Sequence, residues 1–129
     1  RGVRVQIMAS TTGDGPVTPD VVGQEMRKLM KKGAEVYYYD GGFHHSKVMM
    51  VDGLFCTVGT ANLDARSLRF DYEVNAFIFD RKVTAQLQDI FYSDIHKHCV
   101  LLTPDNWKYR FPLKKRVSGR VFSSIKGFL

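Results

Sequence analysis

His45 and Lys47 stand one residue apart, and in an extended chain residues i and i+2 point to the same side. That spacing sets an imidazole, a nucleophile or a base, beside a fixed positive charge. Further on, Asp52-Gly53 is a pair that reverses a chain between two strands. The runs around it, Lys47–Val51 and Leu54–Val58, read as a hairpin whose second strand returns to where the first began. Gly59-Thr60-Ala61-Asn62 follows that strand and is expected beside His45 and Lys47. One imidazole, one ammonium, one carboxamide, one hydroxyl and free backbone N–H groups then converge. Such a set can cradle the charged oxygens of a phosphodiester without a metal. Alone, a His-x-Lys pair is an ordinary surface strand and an Asp-Gly pair an ordinary turn. Their joint spacing is what points to chemistry.

Other candidate residues read more plainly. His44 is expected at the edge of a cleft, while His96 and His98 sit near a helix end, where capping or exposure accounts for them. Asp64 and Arg66 fit either a substrate-side role or an ion pair that braces a loop. Gly13-Asp14-Gly15 lacks the Gly-Lys-Ser/Thr ending of a phosphate loop and reads as a mobile rim of a cleft. Cys56 and Cys99 read as buried free thiols. No Cys/His cluster has zinc-ligand spacing, so neither a metal nor a cofactor is expected.

The elements that must position these groups are legible in outline. Val3–Met8 alternates as a strand does, and Val36–Tyr39 and Tyr72–Phe79 read as further strands. In the last of these, Glu73, Asn75, Phe77 and Phe79 share one face. Thr18-Pro19-Asp20 starts a helix that carries Val22, Met26, Leu29 and Met30 on one face and stops at Lys31-Lys32-Gly33. Val83, Leu87, Ile90, Phe91 and Ile95 mark a second amphipathic helix ending near Cys99. Thr103-Pro104-Asp105 repeats the helix-start pattern. The expected fold class is α/β, a mixed sheet flanked by helices.

Charge divides the chain. Residues 1–104 carry twelve basic and twelve acidic side chains, so the net charge of +6 arises wholly from residues 105–129. There Lys108, Arg110, Lys114, Lys115, Arg116, Arg120 and Lys126 face Asp105 alone. A neutral catalytic body over 1–104 with a basic amphipathic tail over 105–129 is the expected organisation, which speaks against a uniformly basic nucleic-acid binder. Val117, Val121, Phe122, Ile125, Phe128 and Leu129 are expected on one face of the tail, with Trp107 and Tyr109 as interfacial aromatics. No apolar run reaches the roughly 18–20 residues a membrane span needs. With no initiator Met, the chain is expected to be cut from a longer protein.

His45-x-Lys47, four residues, Asp52, six residues, then Gly59-Thr60-x-Asn62 resembles the HKD motif of the phospholipase D superfamily. Asn62-Leu63-Asp64-Ala65-Arg66-Ser67-Leu68, Tyr72-Glu73-Val74, Lys32-Gly33-Ala34-Glu35-Val36-Tyr37 and Leu102-Thr103-Pro104-Asp105-Asn106-Trp107 are similar to the bacterial cardiolipin synthase branch. The resemblance implies one half of a pseudo-twofold, two-domain enzyme with a phospholipase D-like sheet. His45 would be either the covalent nucleophile or the general acid/base partner. Lys47 and Asn62 would hold phosphate oxygens, Thr60 would donate to the phosphate or shape the loop, and Glu73 would fix a His tautomer. Asp52 and Gly59 would be structural.

The activity so implied is phosphatidyl transfer: two phosphatidylglycerol molecules give cardiolipin and glycerol through a phosphatidyl-histidine. Expected partners are the phospholipid substrate, a membrane surface, and a second HKD half in the same polypeptide or a homodimer; nucleic acid is not expected. The setting would be the bacterial cytoplasmic membrane. The alternatives are a phospholipase D-type hydrolase, a homodimeric phosphodiesterase or nuclease, and a lipid-surface module with a degenerate site.

Overall fold

The computed structural model describes residues 2–13, 15 and 18–125. Asp14 of the glycine loop, and Lys126, Phe128 and Leu129 of the tail, lie outside the described residues. The chain divides into two compact units, one built from residues up to His44 and again from Lys97 onward, the other from His45–His96. The mixed α/β class is as expected, with the strands shared between two three-stranded sheets.

In the first unit, β1 (Gln6–Ser10) and β2 (Glu35–Tyr39) are parallel and joined by α1 (Thr18–Lys31). Parallel neighbours need a crossover of this kind. Gly33, in the left-handed region at φ +95, ends α1: its N–H donates to Met30 O and that of Ala34 to Leu29 O.

The second unit opens with β3 (Lys47–Val51) and β4 (Phe55–Gly59), followed by α2 (Ala65–Arg69) and β5 (Asn75–Ile78). Its sheet runs β3-β4-β5, antiparallel throughout. Leu54 N–H closes the hairpin on Val51 O, and Asp52 (φ 50) and Gly53 (φ 64) between them supply the two positive dihedrals a tight reversal requires. α3 (Arg81–His98) starts on Asp80, whose carboxylate accepts from Lys82 and Val83 N–H at 2.8 and 2.9 Å.

The last two residues of α3 return the chain to the first unit, where β6 (Cys99–Leu101) adds antiparallel to β2. α3 ends next to Cys99, where the periodicity placed its end, and β6 is an element the sequence did not disclose. Cys99 is half-buried rather than buried, while Cys56 is fully buried, and both are free thiols.

α4 (Pro104–Arg110) and α5 (Leu113–Ile125) complete the first unit. Trp107, expected as an interfacial aromatic, is instead 2% exposed, in a core with Val36, Tyr38, Leu102 and Phe111. Its indole N–H donates to Gly23 O at 3.2 Å, and the Arg27 guanidinium lies 4.3 Å from its ring. An aromatic that finds both an apolar bed and an acceptor inside the fold has no reason to seek the interface. α5 lies along α1 by way of Gly119, where a Cβ would run into the Asp20 backbone. Arg110 grips Asp40 through two bonds of 3.1 and 2.8 Å, tying α4 to the end of β2.

Candidate active site

The second unit carries the chemical residues. The antiparallel register sets Lys47 opposite Gly59, and Gly59 opposite Asn75. The start of β3, the end of β4 and the start of β5 thus lie side by side, the convergence the hairpin spacing implied. The ammonium of Lys47 donates to the main-chain O of His45 at 2.9 Å, so the two residues of the His-x-Lys pair are in contact. His45 itself is exposed, as are Thr60 and Asn62.

The loop after β4 is held more tightly than its sequence suggests. The Thr60 hydroxyl donates to Glu73 Oε2 at 2.6 Å and accepts from Val74 N–H at 3.0 Å, and Thr60 N–H donates to Val74 O at 3.0 Å. Ala61 N–H donates to Asn75 Oδ1 at 3.2 Å. The free backbone N–H groups anticipated here are therefore in use at Thr60 and Ala61, because Val74 and the first residue of β5, Asn75, supply acceptors. The only proton of the Thr60 hydroxyl also goes to Glu73 rather than outward.

Glu73 holds its charge firmly. The hydrogen bond from Thr60, then one from Ser67, push its carboxyl below the usual carboxylate range, with a further contribution from the Lys47 charge. Its described partners are these, and the His45 ring is not among them. Glu73 and Asn75, two residues apart and on one face of the chain, both reach the loop that carries Thr60 and Asn62.

Gly59 has a steric reason. A Cβ there would overlap Asn75 Oδ1 and the Val74 carbonyl, so β4 and β5 meet only over glycine. Asn75 was not among the residues singled out from sequence. Its signal was its place two residues beyond Glu73 on the same strand face.

Asp52 stands at the opposite end of β3 from Lys47, about 16 Å away at strand rise, and its exposed side chain belongs to the turn. Asp64 caps α2 by accepting from Ser67 N–H at 2.8 Å, while Arg66 pairs with Asp71 at 3.1 Å. Of the two roles open for them, bracing the loop is the one their contacts match, though they do not pair with each other. In the first unit, the His44 ring lies 5.1 Å and the His98 ring 5.6 Å from that of Tyr39, and His44 N–H donates to Ser10 Oγ at 3.2 Å. Among the described residues no group of His, Cys, Asp and Glu is arranged to hold a metal ion.

The family profile described as "Cardiolipin synthase, PLD-like domain" matches residues 1–95, a stretch that contains every residue of this cluster. The chain belongs to this cardiolipin synthase, phospholipase D-like family. Among curated relatives, the cardiolipin synthase of Listeria welshimeri is 40% identical over 109 residues, covering 84% of this chain and 22% of the relative. That of Oceanobacillus iheyensis is 41% identical over 96 residues, 74% of this chain and 20% of the relative. Cardiolipin synthase 2 of Staphylococcus epidermidis is 40% identical over 94 residues, 73% and 19% respectively. The chain thus spans about a fifth of the length of these phospholipase D-like relatives.

Proposed function

We propose that the chain is one catalytic half of a phosphatidyltransferase that makes cardiolipin from two phosphatidylglycerol molecules at the bacterial cytoplasmic membrane. The observation that carries this reading is the register that sets Lys47 opposite Gly59, bringing the His-x-Lys pair to the loop that holds Thr60 and Asn62. Family membership supports it.

In this mechanism a histidine nitrogen attacks phosphorus of the first phosphatidylglycerol. The P–O bond to glycerol breaks, and the leaving oxygen takes a proton from the second histidine. The primary hydroxyl of another phosphatidylglycerol then gives its proton to that same histidine and attacks phosphorus. The P–N bond breaks and cardiolipin leaves. His45 is one of the two histidines. The other comes from a second HKD half, in the same polypeptide or in a second copy of the chain.

Lys47 and Asn62 hold the nonbridging oxygens, where negative charge persists throughout the displacement. Thr60, Glu73 and Asn75 keep the loop bearing Asn62 in place. Glu73 acts on that loop through Thr60, and it is also the carboxylate that fixes the tautomer of a reacting histidine.

The exposure of His45, Thr60 and Asn62 favours one second reading, in which water replaces the second lipid and the product is phosphatidic acid. Phosphatidylglycerol vesicles incubated with the polypeptide bearing both halves decide between the two. Cardiolipin with one glycerol per turnover supports the transferase. Phosphatidic acid alone overturns it for the hydrolase, and no lipid turnover overturns both.

A further inference from the structure

A recess of about 130 Å³ opens in the first unit, lined by Ser10, Thr11, Tyr38, Arg110, Phe111 and Lys115. Tyr38 is its unusual member. Alternation along β2 turns Val36 and Tyr38 into the core, and the Tyr38 ring lies 5.9 Å from that of Phe111. The residue is 2% exposed, yet its hydroxyl has no hydrogen-bond partner among the described residues. Burial raises the pKa of that hydroxyl above its usual value, so it stays protonated and has a proton to donate. A buried donor of this kind calls for an acceptor, and the recess that its residue lines is where one can sit.

We propose that this recess binds a phosphomonoester group, with the Tyr38 hydroxyl, the Arg110 guanidinium and the Lys115 ammonium as its donors. The charge around it selects an anion. Arg110 and Lys115 line the recess and, among the described residues, no carboxylate does. Asp40 takes two of the five N–H donors of Arg110 and offsets its charge, so the net charge of the lining comes from Lys115. The Arg110 charge is felt at the Tyr38 hydroxyl, so both act on one small space. A guanidinium fork and a point-charge ammonium are a common pair for phosphate oxygens. Ser10 and Thr11 give their hydroxyl protons to Gly42 O and Tyr39 O, at 3.3 and 3.1 Å, and form a polar wall. Pro19, in the first turn of α1, lines the recess too, which sets it at the positive end of that helix. The volume admits a phosphoryl group with a short polyol and not an acyl chain. These residues all belong to the first unit, whereas His45, Lys47 and Asn62 belong to the second, so the site does not rest on the proposed transfer.

Calorimetric titration of the 129-residue chain with inorganic phosphate tests it. A saturable site is expected. Tyr38→Phe keeps the ring and removes the hydroxyl, and it weakens phosphate binding about tenfold or more, as losing a hydrogen bond to a charged group does. Lys115→Gln weakens binding by about as much. Both variants keep the wild-type melting temperature without phosphate, because one loses an unpartnered hydroxyl and the other an exposed side chain. Competition by glycerol phosphate stronger than by dibutyryl phosphatidic acid supports the proposal with a free phosphate ester as ligand. The reverse order supports it with a lipid headgroup. Wild-type affinity in both variants overturns it, water then serving the hydroxyl, and so does the absence of saturable binding. Binding that survives Tyr38→Phe and is lost in Lys47→Ala places the anion at the His-x-Lys loop and overturns it as well.

Discussion

At the scale of single residues, Gly59 is the tightest constraint in the candidate site. Its hydrogen occupies the space that Asn75 Oδ1 and the Val74 carbonyl leave, so Gly59→Ala forces β5 away from β4. The expected cost is about 1–3 kcal/mol, read as a lower melting temperature, with a loss of turnover beyond what the melting shift explains. Lys47→Ala removes a cation from the proposed phosphate cradle and is expected to lower kcat by on the order of a hundredfold or more, with the fold retained, since the Lys47 ammonium donates to the main-chain O of His45 on the same stretch of chain. The proposed reactive residues stand out in the sequence by spacing: His45 and Lys47 are two apart, and one hairpin separates them from Asn62. Asn75 and Ser67 do not, because a polar residue in a strand or a short helix looks the same whether it faces water or braces a loop. Only the pairing of β4 with β5 reveals which. The same pairing explains why Thr60 turns its hydroxyl inward, a competition between Glu73 and a substrate that no spacing could settle.

Elements show where charge and burial act. Glu35, at the start of β2, accepts from Arg4, Tyr37 and Gln6, and these bonds hold its carboxyl down to about 2. A carboxyl depressed in the folded state stabilises above its ordinary value of 4.5, and that contribution is lost as pH falls from there toward about 2. The melting-temperature gap between wild type and Glu35→Gln is therefore constant above pH ~5 and closes by pH ~2. In α4, Trp107→Ala lowers stability by about 3–5 kcal/mol. An unchanged denaturation midpoint would contradict the burial described for its ring. The long helices and the hairpin were readable from periodicity and from Asp52-Gly53. β6 and α2 were not, because three and five residues hold too little of any period. Trp107 was misplaced for a related reason. Its neighbours Lys108, Tyr109 and Arg110 look like an interfacial belt until the short turn of α4 points the indole inward.

For the molecule as a whole, the mixed α/β class was visible in the alternation of strand and helix patterns, whereas the division of the strands into two sheets was not. That division depends on which strands pair, and pairing is decided by side chains far apart in sequence. The basic excess after residue 105 is legible by counting charge, and α5, which carries part of it, packs on α1 at Gly119. The proposed transfer requires His45 as a reacting group. Its most direct test is the initial rate of phosphatidylglycerol consumption by the polypeptide bearing both HKD halves, wild type beside His45→Ala. The mutant is expected to lose on the order of a thousandfold or more with unchanged melting temperature and vesicle binding. A mutant rate within about tenfold of wild type, below the usual contribution of one acid/base group, would contradict the account.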